Sequence, residues 1–128
     1  MRAVATHISF GEAADKLTIL KIKSERLRDA GQLENVRKEF ALLEAAFRAS
    51  TPRVAGFDDL FARLKAVNET LWQIEDDVRK CEARGDFGER FVTLARAVYK
   101  TNDERAQLKR AIDALLGSEL REEKSYFS

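Results

Sequence analysis

Cysteine, histidine and proline each occur once in the 128 residues, as Cys81, His7 and Pro52. A single cysteine excludes an intrachain disulfide and suits a reducing compartment. One histidine and one cysteine are too few soft ligands for a zinc site, so no metal is expected. A Ser–His or Cys–His nucleophile would have to be built on His7. No glycine-rich phosphate loop is present, and no cofactor is implied. Charge of one sign is missing too: 23 basic and 22 acidic residues leave a net charge of +1. Nucleic-acid surfaces usually carry a basic excess, so nucleic acid is not an expected partner. No apolar run reaches the roughly 18 residues of a membrane span. Residues 1–8 lack the apolar core of a signal peptide, and the expected location is the cytoplasm.

What remains is a helical composition, with 35% charged residues and only six glycines. The size fits one domain, residues 1–128. The strongest pattern lies in the last third. Phe87, Phe91, Leu94, Val98, Thr101, Arg105, Leu108, Ile112 and Leu115 follow one another in alternate steps of four and three. That is a heptad repeat, and such a seam must be buried against other helices. Thr101 and Arg105 are its two polar members. Thr101 and Glu104 also have capping-box spacing, which allows a break in this helix near Thr101–Asn102.

Three further helices precede it. Ser9 and Glu12 have capping-box spacing, opening a helix with seam Phe10, Ala13, Leu17, Leu20, Ser24 and Leu27. Ile19 and Ile22 add a second apolar stripe, so this helix should be the most buried. Gly31 is placed to end it. The second helix carries Leu33, Val36, Phe40, Leu43 and Phe47, and residues 50–56 hold the proline and form a loop. The third begins near an Asp58 N-cap, runs through Leu60, Leu64, Val67, Leu71, Ile74, Val78 and Cys81, and ends at Gly85. Asp86 and Glu89 have the spacing to cap the fourth. Short turns make antiparallel neighbours, so the expected fold is all-α: a four-helix bundle of two antiparallel hairpins. Val4, Thr6 and Ile8 alternate within an extended arm, residues 1–8, expected to lie on the bundle or a partner. Residues 118–128 form a tail in which Tyr126 and Phe127 read as anchors.

Two constellations carry potential chemistry. The acids Glu75, Asp76, Asp77, Asp103 and Glu104 could hold a hard cation, but without a Glu-x-x-His pattern they read as a solvated face. The second is a polar band. With the last two helices paired about Gly85, Asn68, Glu69, Trp72, Tyr99, Lys100, Thr101, Asn102, Asp103 and Arg105 gather halfway along the hairpin. Aromatics beside amides, a hydroxyl and cations suit a planar or anionic ligand. The favoured alternative is a buried register-setting network, with Arg105 paired to Asp15 or Glu69.

The runs Gly11–Lys23, Tyr99–Arg105 and Glu122–Tyr126, with Glu75-Asp76 and Asp86–Glu89 between them, resemble a small bacterial family catalogued only as a domain of unknown function. The resemblance spans nearly the whole chain and implies no activity. It implies a link to cell-surface glycan synthesis, because such proteins resemble ones found near glycosyltransferases. It also flags Asp15, Lys16, Asn102, Asp103 and Arg105, which fall inside the matched motifs.

The leading expectation is a non-enzymatic interaction or accessory module, as a homodimer or with a protein partner. The alternative is a binder of, or enzyme acting on, a small anionic ligand: a nucleotide, nucleotide sugar or sugar phosphate. An enzyme would draw its base from Asp15, Glu69 or Asp103 and its neutralising cation from Arg105 or Lys16.

Overall fold

The computed structural model describes residues 2–118. It is an all-α bundle of four helices: α1 (Phe10–Arg26), α2 (Ala30–Ser50), α3 (Phe57–Arg84) and α4 (Glu89–Leu116). There is no strand among the described residues.

Local chemistry sets the boundaries. Ser9 caps α1, its hydroxyl accepting from the Glu12 amide at 3.0 Å. The other half of the expected box does not form, because the Glu12 carboxylate pairs with Lys109 on α4. Gly31 does not end α1. The helix stops at Arg26, and Asp29 starts the next one by accepting from the Gln32 amide at 2.9 Å. An aspartate N-cap two residues ahead outweighs the glycine, which falls in the first turn of α2.

Helix α3 begins at Phe57, one residue ahead of the expected Asp58 cap. Gly56 takes the cap position at φ 92°, a left-handed conformation that side chains resist. Gly85 closes α3 at φ 68°. Asp86 then accepts from the Gly88 amide at 3.1 Å, which bends the chain instead of capping α4 with Glu89. Helix α4 runs unbroken through Thr101 and Asn102. A Thr-x-x-Glu spacing caps a helix only where the preceding chain has left helical geometry, and here it has not.

Both antiparallel hairpins form. Phe10 at the start of α1 meets Phe47 near the end of α2, with ring centroids 5.9 Å apart. Asp77 on α3 reaches Arg90 on α4 just beyond the Gly85 turn. Helix α1 occupies the centre, packing against all three others, and eight of its residues are buried. Helix α2 packs along α1, buries only Val36, and touches α3 through Phe47 on Phe57. The core joins Ala14, Leu64, Leu108 and Ile112, with Phe10, Phe47, Phe57 and Phe61 packed around them.

The seams hold in the middle and fail at the ends. Leu64, Leu71, Ile74 and Cys81 are buried on α3, and Thr101, Leu108 and Ile112 on α4. Phe87, expected at the head of the α4 seam, is 55% exposed, and Leu115 at its foot is exposed. At Phe87 the cause is length: α3 and α4 each span about 42 Å at 1.5 Å per residue, and α1 only about 26 Å. The hairpin therefore outruns the helix that covers it. The arm does not lie on the bundle, since residues 2–8 are all exposed. The expected anchors Tyr126 and Phe127 lie outside the described residues.

Candidate functional site

The polar band is centred on Asp15, on the buried side of α1. Its Oδ1 accepts from Arg105 Nε at 2.9 Å and from Asn68 Nδ2 at 2.9 Å, and its Oδ2 accepts from Arg105 Nη2. Arg105 thus clamps the carboxylate with two parallel bonds, the strongest form of this pairing. Asn68 Nδ2 also donates to Thr18 Oγ1 at 2.8 Å, and the Thr18 hydroxyl donates to the Asp15 carbonyl at 2.7 Å. Three helices meet in the network: α1 supplies Asp15 and Thr18, α3 supplies Asn68, and α4 supplies Arg105. Asp15 and Asn68 are buried, whereas the Arg105 side chain keeps 29% of its surface in contact with solvent.

That open edge of Arg105 lines a groove of about 380 Å³, with Asn68, Trp72 and Asn102 beside it and Ile19 and Ile22 forming an apolar floor. Arg26 sits over the Trp72 ring at 5.8 Å, within cation–π range. Glu75, Asp76 and Arg79 complete the lining, so the mouth carries both signs of charge. Asp76 pairs with Lys80 at 3.3 Å.

The sequence-derived residues divide. Asp15, Asn68 and Arg105 bond directly, Trp72 and Asn102 join them at the groove, and Thr101 is buried on the α4 seam. Four others point elsewhere. Lys16 pairs with Glu39 on α2 at 2.9 Å. Glu69 pairs with Lys65, which also reaches Glu25 of α1. Tyr99 and Asp103 are exposed and line no part of the groove. Lys16 follows Asp15, Glu69 follows Asn68 and Asp103 follows Asn102, and one residue is a turn of about 100° around a helix, enough to change face. Among the described residues, no group of three or more His, Cys, Asp or Glu side chains is placed to hold a metal ion.

A second polar junction was not foreseen. The Gly11 amide donates to Asp113 Oδ1 at 2.6 Å, and Lys109 Nζ pairs with Glu12 at 2.5 Å. Asp113 and Lys109 are both buried, and Asp113 Oδ2 has no hydrogen-bond partner among the described residues. The positive end of the α1 dipole favours a carboxylate there. The signal was in the sequence: Arg105, Lys109 and Asp113 recur every four residues, a single ridge of α4. Along α1 their partners are Asp15, Glu12 and Gly11, in antiparallel order.

A family model matches residues 4–128. The chain belongs to DUF6165, a family of unknown function. No curated protein and no solved structure matches it. DUF6165 membership covers all four helices and with them both polar junctions, and it assigns neither a role.

Proposed function

We propose that this protein is a non-enzymatic helical interaction module, and that the projecting α3–α4 hairpin is its contact surface. One observation carries the reading. In the first half of α4, Val92, Ala95 and Tyr99 follow at steps of three and four on one face, and all are exposed. Tyr99 is 56% exposed and Phe87, at the hairpin tip, 55%. Apolar side chains left in a helical row need a partner. A second copy of the chain is the first partner to test, giving a homodimer. The Asp15 carboxylate at the centre of the band supports a structural role for it, because Arg105 bonds both of its oxygens and Asn68 also bonds one. A general base needs a lone pair free to take a proton. The single cysteine, buried in the α3 seam, suits the reducing cytoplasm. No helix among the described residues is long and apolar enough to cross a membrane. Sedimentation across the micromolar range tests the proposal: a concentration-dependent dimer is expected, and a monomer throughout contradicts it.

The groove beside Trp72 and Arg105 favours a second reading, a binding site for a small anionic ligand with a planar group. The link to glycan synthesis that the family resemblance implies makes nucleotides, nucleotide sugars and sugar phosphates the set to screen. A ligand at 100 times its dissociation constant adds about 2.7 kcal/mol of stability. Glu75 and Asp76 at the mouth oppose a highly charged anion, so monophosphates and nucleotide sugars should shift melting more than nucleoside triphosphates.

A further inference from the structure

A second cleft lies on the other side of α1 and shares no lining residue with the polar groove. It encloses about 490 Å³ between α1, the second half of α2, residues 51–55, the first two turns of α3 and Leu116 at the end of α4. Small-molecule sites fall between about 300 and 1,000 Å³ and are mostly apolar with a few polar groups. Four phenylalanines line this one: Phe40, Phe47, Phe57 and Phe61. All four are only half-buried. The reason is architectural, since α2 rests on α1 and no other helix closes over its inner face.

The cleft also has an electrostatic sign. Lys21, Arg48 and Arg53 line it, against Glu44 and Asp58. Arg48 is engaged with Glu44 at 3.8 Å. Lys21 and Arg53 form no ion pair among the described residues. The N-terminus of α3 opens here as well, and its cap residue Gly56 supplies no side-chain hydrogen bond. A helix N-terminus favours negative charge, and Asp58 and Asp59 already occupy its first turn, so the sign of the cleft rests on the basic side chains that line it.

We propose that this cleft binds an amphipathic anion: an apolar chain or ring system that packs among the four phenylalanines, with a carboxylate or phosphate head held by Lys21 and Arg53. Aromatic walls supply the apolar contact, and two cations that form no ion pair among the described residues supply the preference for sign. The site is independent of the interaction surface on the α3–α4 hairpin, so either can fail alone.

The test is calorimetric titration with dodecanoate and dodecyl phosphate below their micelle-forming concentrations, with dodecyltrimethylammonium as the cationic control of equal chain length. Both anions should bind at one site, roughly tenfold or more tighter than the cation. Lys21→Glu and Arg53→Glu should each weaken the anions about tenfold, since both residues are exposed and neither holds the fold. Ala55→Trp, at an exposed position in the lining, should fill the cleft and abolish binding with the circular dichroism melt unchanged. Co-sedimentation with phosphatidylglycerol vesicles separates the two sources of such an anion. Binding of the free anion without vesicle capture assigns the site to a soluble ligand, and capture that Ala55→Trp abolishes assigns it to a lipid inserted in the cleft. Equal affinity for the cation, undiminished binding by Ala55→Trp, or no binding of either anion would overturn the proposal.

Discussion

Gly11 and Asp113 stand as close as two helices allow, joined by a 2.6 Å hydrogen bond from the backbone of α1 to the side chain of α4. A Cβ on Gly11 would lie 2.3 Å from the Lys109 carbonyl oxygen, which is backbone and cannot swing aside. Alanine should improve the intrinsic helix propensity by about 1 kcal/mol. The clash should outweigh that gain, because overpacking costs about 1–3 kcal/mol and the charged hydrogen bond to Asp113 is strained or lost as well. Gly11→Ala is expected to destabilise the protein by about 2 kcal/mol in urea unfolding. A neutral or stabilising result would mean that α1 and α4 can part here without loss.

The helices, their order and the two hairpins were legible because apolar spacing encodes them. The need of Arg105 for a carboxylate was legible for the same reason, since a charge on a buried seam needs an opposite charge, but the choice between Asp15 and Glu69 was not. The ends of α1, α3 and the α3–α4 turn were less so. At each, two residues competed to set the boundary: Asp29 against Gly31, Gly56 against Asp58, and Gly88 against Asp86. Which prevailed was settled by local cap and turn geometry that composition alone does not rank. The Lys109–Asp113 junction escaped because the heptad count follows steps of four and three, whereas α1 packs on a ridge of α4 with steps of four alone. The phenylalanine cleft escaped because Phe40 and Phe47 read as ordinary seam positions of the second helix, while Phe57 and Phe61 fall outside the seam that begins at Leu60. Only the three-dimensional placement of α2 leaves them uncovered.

Lys65 gives the protein an alkaline dependence. Its ammonium bonds Glu25 at 3.0 Å and Glu69 at 3.5 Å, joining α1 to α3. The hydrogen bond to Glu25 is the main cause that raises its pKa above 10.5, with Glu69 adding to it and burial opposing it. A folded-state pKa above the unfolded one means a contribution that is complete below pH 10.5 and disappears as pH rises through the folded value. The stability difference between wild type and Lys65→Met should therefore be constant at lower pH and shrink above 10.5. A difference that stays level through that range would show that the bridge does not act through its charge.

Val92 tests the contact surface without disturbing the core. It is 43% exposed, so Val92→Glu should change monomer stability by no more than about 0.5 kcal/mol. The same substitution places a charge at the head of the exposed apolar row. Sedimentation should shift from dimer to monomer at equal concentration, and an undiminished dimer would move the interface elsewhere.

The central claim is that the polar band is a paired structural network and that the protein acts through its outer surfaces. Urea unfolding of Arg105→Met, alone and combined with Asp15→Leu, tests it most directly. Removing Arg105 strands a buried carboxylate that retains only Asn68 as a side-chain donor among the bonds described. The single variant should lose about 3 kcal/mol, at the lower end for a broken buried pair, and the double variant should recover much of that loss. A loss below about 1 kcal/mol in Arg105→Met, the ordinary range for a surface change, would contradict the claim and leave Arg105 as a ligand-binding cation.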